Sequence, residues 1–122
     1  MTPEEQNIAI AKELGWTDIN KVDYHCGVHP HFTHAKSFTG GDLEKPIWPI
    51  PDYCEDLNAC RDFEKTLVYN WSEYLNQLWL VVNPDREIGP CHAANYFNRR
   101  MVMATPKQRC EAFLKTKGLW NE

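Results

Sequence analysis

The segment Cys26-Gly-Val-His29-Pro-His31-Phe-Thr-His34 gathers one thiol and three imidazoles in a short stretch. Thiolate and imidazole are the ligand chemistry of zinc, so Cys26, His29, His31 and His34 are the candidate metal ligands. Their spacing differs from that of a structural zinc knuckle, because a tetrahedral site built wholly from so short a loop needs a sharp reversal at every ligand. Cys91-His92 can supply donors from elsewhere in the chain. The alternative is a polar surface loop whose imidazoles titrate near neutrality.

Carboxylates form a second group. Asp52, Glu55 and Asp56 lie close together, and paired carboxylates bind magnesium or exchange protons, with His25 or His29 as a partner. Acidic residues also gather at helix N-termini for electrostatic reasons alone, which makes Asp52 a helix cap in the simpler reading. The five cysteines are odd in number and form no CxxC pair. That favours reduced thiols, most of them small buried apolar residues. Cys54, Cys60 and Cys110 fall on apolar helix faces, leaving Cys26 as the one thiol in a loop suited to catalysis. A Walker loop, GxGxxG, GxSxG and HExxH are all absent, so the common phosphate, dinucleotide, esterase and metalloprotease chemistries lack their signatures.

The third group is aromatic. Trp48 stands in the stiff stretch Pro46-Ile-Trp-Pro-Ile-Pro51, with Tyr53 just beyond it. A ring held beside prolines can wall a pocket and stack on a nucleobase, or it can close the core over the helices. Arg99 and Arg100 are the groups suited to meet a phosphate there. The candidate ligand-binding residues are therefore Trp48, Tyr53, Arg99 and Arg100.

These groups must be positioned by a mainly helical chain. Thr2, Pro3 and Glu5 form a capping box for a helix that runs to about Leu14, where Gly15 ends it and Trp16 folds back. Ile8, Ala11 and Leu14 supply its buried face, with Ile10 beside it. Residues 17–24 alternate imperfectly and predict a short strand. Prolines and glycines punctuate residues 25–51, leaving room only for short strands such as one over 31–38.

A second helix is expected after Asp52, with Leu57, Cys60, Phe63 and Leu67 inside and Glu55, Asp56, Arg61, Asp62 and Lys65 outside. A third is capped by Asn70, with Glu73 closing the box and Trp71, Tyr74, Leu75, Leu78, Trp79 and Val82 at helical spacing. Asn83-Pro84 stops it. Ala93, Ala94, Phe97, Met101 and Ala104 fit a fourth helix, although Tyr96-Phe97 and Val102 also suit a strand. In the last, Thr105-Pro-Lys-Gln108 repeats the capping box, Cys110, Phe113 and Leu114 form the stripe, and Gly118 ends it with Leu119 packing on Leu114.

The chain's 122 residues, 43% hydrophobic and 12% aromatic, predict one domain over residues 1–122 with a well-supplied core. The net charge of −4 argues against nucleic acid as partner, since phosphate binding relies on a basic surplus. Arg99 and Arg100, with Lys107 and Arg109 nearby, are the local exception, read more simply as a solvated helix face. No stretch approaches the about 20 apolar residues of a membrane helix. The acidic start lacks the features of a signal peptide, so an intracellular protein is expected.

Two stretches carry a family resemblance. Ile50-Pro-Asp-Tyr-Cys-Glu-Asp-Leu-Asn-Ala-Cys60 and Ala104-Thr-Pro-Lys-Gln-Arg-Cys-Glu-Ala-Phe-Leu-Lys-Thr-Lys-Gly-Leu-Trp120, with Ile8 to Trp16 followed by Thr-Asp-Ile, resemble the phage ABA-sandwich domain, a group of small phage and prophage accessory proteins. That resemblance implies an α+β fold, α-β-α layered with a small sheet, made from a phage genome in the bacterial host cytoplasm. It supplies no catalytic residue.

The function expected from these features is non-enzymatic binding of a host molecule, in the manner of a counter-defence protein that sequesters a nucleotide signal. One alternative is an inhibitor that docks on a host defence protein, its acidic face around Glu55, Asp56 and Asp62 imitating nucleic-acid charge. Another is a metal-dependent hydrolase that uses the 25–34 loop with Asp52 or Asp56. A homo-oligomer is compatible with the first of these, with Trp71, Tyr74 and Trp79 at the interface if exposed.

Overall fold

A computed structural model describes residues 1–19, 26–30, 34–36, 42–44, 47–84 and 99–121, with the backbone alone for 34–36, 42–44 and 99–100. The first helix, α1, spans Pro3–Glu13. Thr2 is extended, so its hydroxyl accepts from the Glu5 N–H while the Glu5 carboxylate accepts from the Thr2 N–H, at 3.2 and 3.0 Å. Gly15, at φ +97°, closes the other end. There the Gly15 N–H reaches the Lys12 carbonyl and the Trp16 N–H the Ala11 carbonyl. This paired termination turns the chain sharply and drops the Trp16 ring into the core. The buried face of α1 is Gln6, Ile10 and Ala11; Ile8 and Leu14, expected inside, are only partly covered.

Short strands follow. β1 (Cys26–Val28) pairs antiparallel with β4 (Ile47–Pro49), setting Cys26 opposite Pro49 and Gly27 opposite Trp48. On its other side β1 is bridged to Thr17 by two backbone hydrogen bonds between Thr17 and Val28. β2 (His34–Lys36) pairs with β3 (Asp42–Glu44), within the expected strand at 31–38. Most of the expected strand at 17–24 lies outside the described residues.

The second helix corrects the sequence reading of its cap. The Asp52 carbonyl accepts from the Asp56 N–H at 2.9 Å, as in a helix, but Asp56 then turns extended. The chain restarts there, giving α2 (Leu57–Glu64) with Asp56 as N-cap, its carboxylate accepting from the Asn58 N–H. Asp52 instead accepts from the Asn7 side chain of α1. The restart also rotates Leu57 outward, leaving it exposed where burial was expected.

Helix α3 (Trp71–Val82) begins at Asn70, whose ψ of 11° withholds the extended geometry that Thr2 and Thr105 possess. Its side chain makes no cap, and Glu73 binds Gln77 rather than closing a box. A short α4 (Arg99–Val102) contains part of the expected fourth helix, residues 91–98 lying outside the described set. Helix α5 (Pro106–Thr116) has the full Thr105–Gln108 box and repeats the α1 ending, with Gly118 at φ +71° and the Leu119 N–H on the Leu114 carbonyl. The result is a mainly helical α+β fold.

α5 lies at its centre, against α1, α2 and α3. Cys110, Ala112, Phe113 and Leu114 on α5 meet Phe63 and Cys60 of α2 and Tyr74, Leu75 and Leu78 of α3 in one buried cluster. Phe63 and Phe113 pack with their ring centroids 4.6 Å apart and their planes tilted by 36°. Arg109, read from the sequence as part of a basic surface, points inward to Glu64 at 3.0 Å.

Three thiols sit inside this cluster. Cys110 hydrogen-bonds with Cys54 and Cys60, and those bonds, ahead of burial, push its pKa well up. Cys60 also donates to the Tyr53 carbonyl and Cys54 to the Gln6 side chain. The bond with Cys110 lowers the Cys54 pKa, yet access decides reactivity when the sulfur is fully covered. Among these four described cysteines, iodoacetamide should therefore label half-buried Cys26 first. Cys54, Cys60 and Cys110 should react only in urea; peptide mass spectrometry that finds Cys54 alkylated at the native rate of Cys26 would contradict the buried cluster.

Candidate ligand-binding cavity

Where α1 ends, the β1–β4 ladder begins and α2 turns its last residues outward, a cavity of about 430 Å³ opens. Ligand pockets are commonly about 300–1,000 Å³. Leu14 and Trp16 come from the end of α1, His29 and Pro30 follow β1, and Trp48 and Pro49 belong to β4. Pro51 and Tyr53 come from the turn before α2, and Asp62, Lys65 and Thr66 from its C-terminal end.

Each wall has a local cause. Gly15 can adopt its positive φ only because it lacks a side chain, and a Cβ there would lie 3.1 Å from Pro30. The end of α1 and the segment after β1 therefore meet backbone to ring. Gly27 plays a similar part, since a Cβ on it would meet the Trp16 ring at 3.3 Å and the Thr17 carbonyl at 3.3 Å. Asn7 fixes the opposite side. Its Oδ1 accepts from the Cys54 N–H and its Nδ2 donates to Asp52, clamping the turn that carries Tyr53.

The aromatic side is graded in exposure. Trp48 is 41% exposed and stands outside the core cluster, so its ring is offered to the cavity and to solvent. Tyr53 and Trp16 are buried and contribute ring surface from behind. Burial first, and then the charge of Asp62, raise the Tyr53 pKa, opposed by a hydrogen bond with Trp16. Tyr53 is thus a neutral phenol at ordinary pH. His29 sets its ring edge-on to Trp16 at 4.9 Å.

The lining also carries charge. Asp62 and Lys65 lie one helical turn apart and pair at 3.4 Å, both side chains substantially exposed. Thr66 turns its hydroxyl away, donating to the Phe63 carbonyl at 2.6 Å.

Of the expected ligand-binding residues, Trp48 and Tyr53 share this cavity. Arg99 and Arg100 are on α4, their side chains outside the described residues. Of the expected metal ligands, Cys26 is on β1 and His29 lines the cavity; His34 is described by backbone only, and His31 lies outside the described residues, as do His25, Cys91 and His92. Among the described residues no three His, Cys, Asp or Glu side chains are grouped to hold a metal ion.

The acidic group has structural duties. Asp56 caps α2, Asp52 binds Asn7, and Glu55 pairs with Lys107 at 3.6 Å. Trp71 is exposed, as an interface role needs, but Tyr74 is fully buried and its hydroxyl donates to Glu64 at 2.8 Å. No described helix is long and apolar enough to cross a membrane.

No family model, curated protein or solved structure matches the chain. The cavity therefore carries the functional argument by its own chemistry. Sequence reasoning missed Trp16, Pro30, Asp62 and Lys65 as members of it. Trp16 had a recognisable role in ending α1, which concealed its second face, and Asp62 and Lys65 look like any exposed helix pair.

Proposed function

We propose that this is a non-enzymatic phage accessory protein that binds a host small molecule, a nucleotide signal of antiviral defence, in the Trp48 cavity. The observation that carries the reading is the half-exposed Trp48 ring among aromatic and proline residues, in a cavity also lined by Asp62 and Lys65. A flat base gains stacking energy on such a ring, and a lysine at the mouth attracts phosphate. The phage setting rests on the resemblance of Ile8 to Trp16, Ile50 to Cys60 and Ala104 to Trp120 to the phage ABA-sandwich domain, and the counter-defence role on analogy.

The test is retention. Purified protein is mixed with a small-molecule extract of phage-infected bacteria, separated by gel filtration and denatured, and the released compounds are identified by mass spectrometry. A nucleotide released from the native protein and lost from Trp48→Ala supports the proposal. Stacking of one base is worth about 1–3 kcal/mol, so the variant should bind roughly 5- to 150-fold more weakly. Equal retention by both proteins would remove the cavity from the function.

A second reading, docking on a host defence protein, draws on the connection between α2 and α3. Val68 and Tyr69 are exposed there, Tyr69 to 98%. Large apolar side chains presented to solvent suit a protein partner. A host protein retained by the native chain, and lost when Val68 and Tyr69 are replaced by serine, would favour this reading.

A further inference from the structure

Resting on the nucleotide-binding reading above, we infer that the cavity selects a guanine nucleotide, with Asp62 reading the base edge and Lys65 holding the phosphate. Selection follows from which groups share the cavity with Trp48. A base stacked on that ring can turn its hydrogen-bonding edge towards α2, where Asp62 supplies a carboxylate, an acceptor with no donor. Guanine presents two adjacent N–H donors, from N1 and the 2-amino group, and a carboxylate accepts both in parallel. Adenine offers the N1 lone pair to the same position and would set acceptor against acceptor.

Two other polar groups on the wall, Thr66 and Tyr53, do not compete for this role. The Thr66 hydroxyl is committed to the Phe63 carbonyl. Tyr53 is buried behind the wall, its hydroxyl engaged with Trp16. Lys65 is at present paired with Asp62, one turn further along the same helix face. An exposed pair of this kind is worth little, so exchanging it for a phosphate contact costs little. The exchange releases Asp62 to the base as Lys65 takes the phosphate.

Titration calorimetry with GMP, IMP, AMP and guanosine tests this on the full chain and on Asp62→Asn, Lys65→Gln and Trp48→Ala. GMP should bind at least about tenfold more tightly than AMP, with IMP between them because it keeps N1–H and lacks the amino group. Asparagine both donates and accepts, a pattern matching the N1 and N6 edge of adenine. Asp62→Asn should therefore weaken GMP and strengthen AMP, a reversal that mere loss of structure cannot produce. Lys65→Gln should bring GMP down towards guanosine and leave guanosine unchanged. Equal binding of GMP and AMP that still depends on Trp48 would overturn the guanine assignment and leave the cavity standing. Absence of binding by all four compounds would overturn both.

Discussion

Replacing Arg109 by alanine should destabilise the protein by about 2–4 kcal/mol, far beyond the effect of removing a surface arginine. Its side chain is 16% exposed, as is that of Glu64, whose carboxylate it meets at 3.0 Å, and backbone carbonyls complete its shell. Nε donates to Ala104, and Nη2 to Val102 and Met101, at 3.2, 3.3 and 3.5 Å. Those carbonyls lie at and just beyond the end of α4, a helix of only 4 residues. So short a helix has little stability of its own. Arg109 acts as its C-terminal cap from a neighbouring helix.

Removal of the arginine leaves the Glu64 carboxylate poorly solvated, keeping the hydrogen bond from Tyr74. Burial, with the Glu64 charge next, raises the Tyr74 pKa, so that hydroxyl stays protonated and keeps donating. Urea denaturation should rank Arg109→Ala as most damaging and Tyr74→Phe as milder, at about 1 kcal/mol. The double variant Arg109→Met with Glu64→Leu should recover only part of the loss, because no charge is then stranded but the Tyr74 hydroxyl and the α4 carbonyls still lose their partners. An Arg109→Ala loss below about 0.5 kcal/mol would return this residue to the solvated basic face that its sequence position suggests.

Arg109 shows where a sequence stops being informative. Helix starts at Thr2 and Thr105 were legible because a capping box is local: threonine, proline and a Glu or Gln three residues on satisfy each other without help from the fold. The glycine endings at Gly15 and Gly118 were legible for the same reason. Asp52 misled because its carbonyl does start a helical turn, and only the backbone angles at Asp56 reveal the break. Nothing local separates an arginine that reaches across to Glu64 from one that faces water.

The candidate cavity divides the same way. Trp48 and Tyr53 stood out because prolines stiffen the chain around them and leave the rings few places to go. The α2 residues opposite carried no such mark. Asp62 and Lys65 acquire their meaning from the turn that Asn7 clamps against α1, a contact between residues far apart in sequence. Long-range closure of this kind is invisible to spacing.

The same long-range packing makes Phe113 the residue through which fold and cavity are joined. Phe113→Ala should cost about 3–5 kcal/mol and lower the melting temperature by roughly 10–25 °C, because the ring is fully buried where α5 meets its neighbours. Behind that number lies a chain of rings. Phe113 packs tilted against Phe63 at 4.6 Å, and Phe63 meets Tyr53 at 6.1 Å, so the wall of the cavity is backed through two aromatic layers by α5. Phe113→Leu keeps most of the volume and should lose about 1.5 kcal/mol or less. Ligand affinity should follow the same order, alanine weaker than leucine, since a void behind Phe63 lets Tyr53 relax inward. Trp48→Ala should do the reverse, weakening binding while shifting the melting temperature little, because its half-exposed ring lies outside the core cluster. Melting curves and calorimetric titrations on the three variants separate the two roles. If Phe113→Ala loses stability but binds as the native chain does, Tyr53 is held by the Asn7 clamp alone and the aromatic backing serves only the fold.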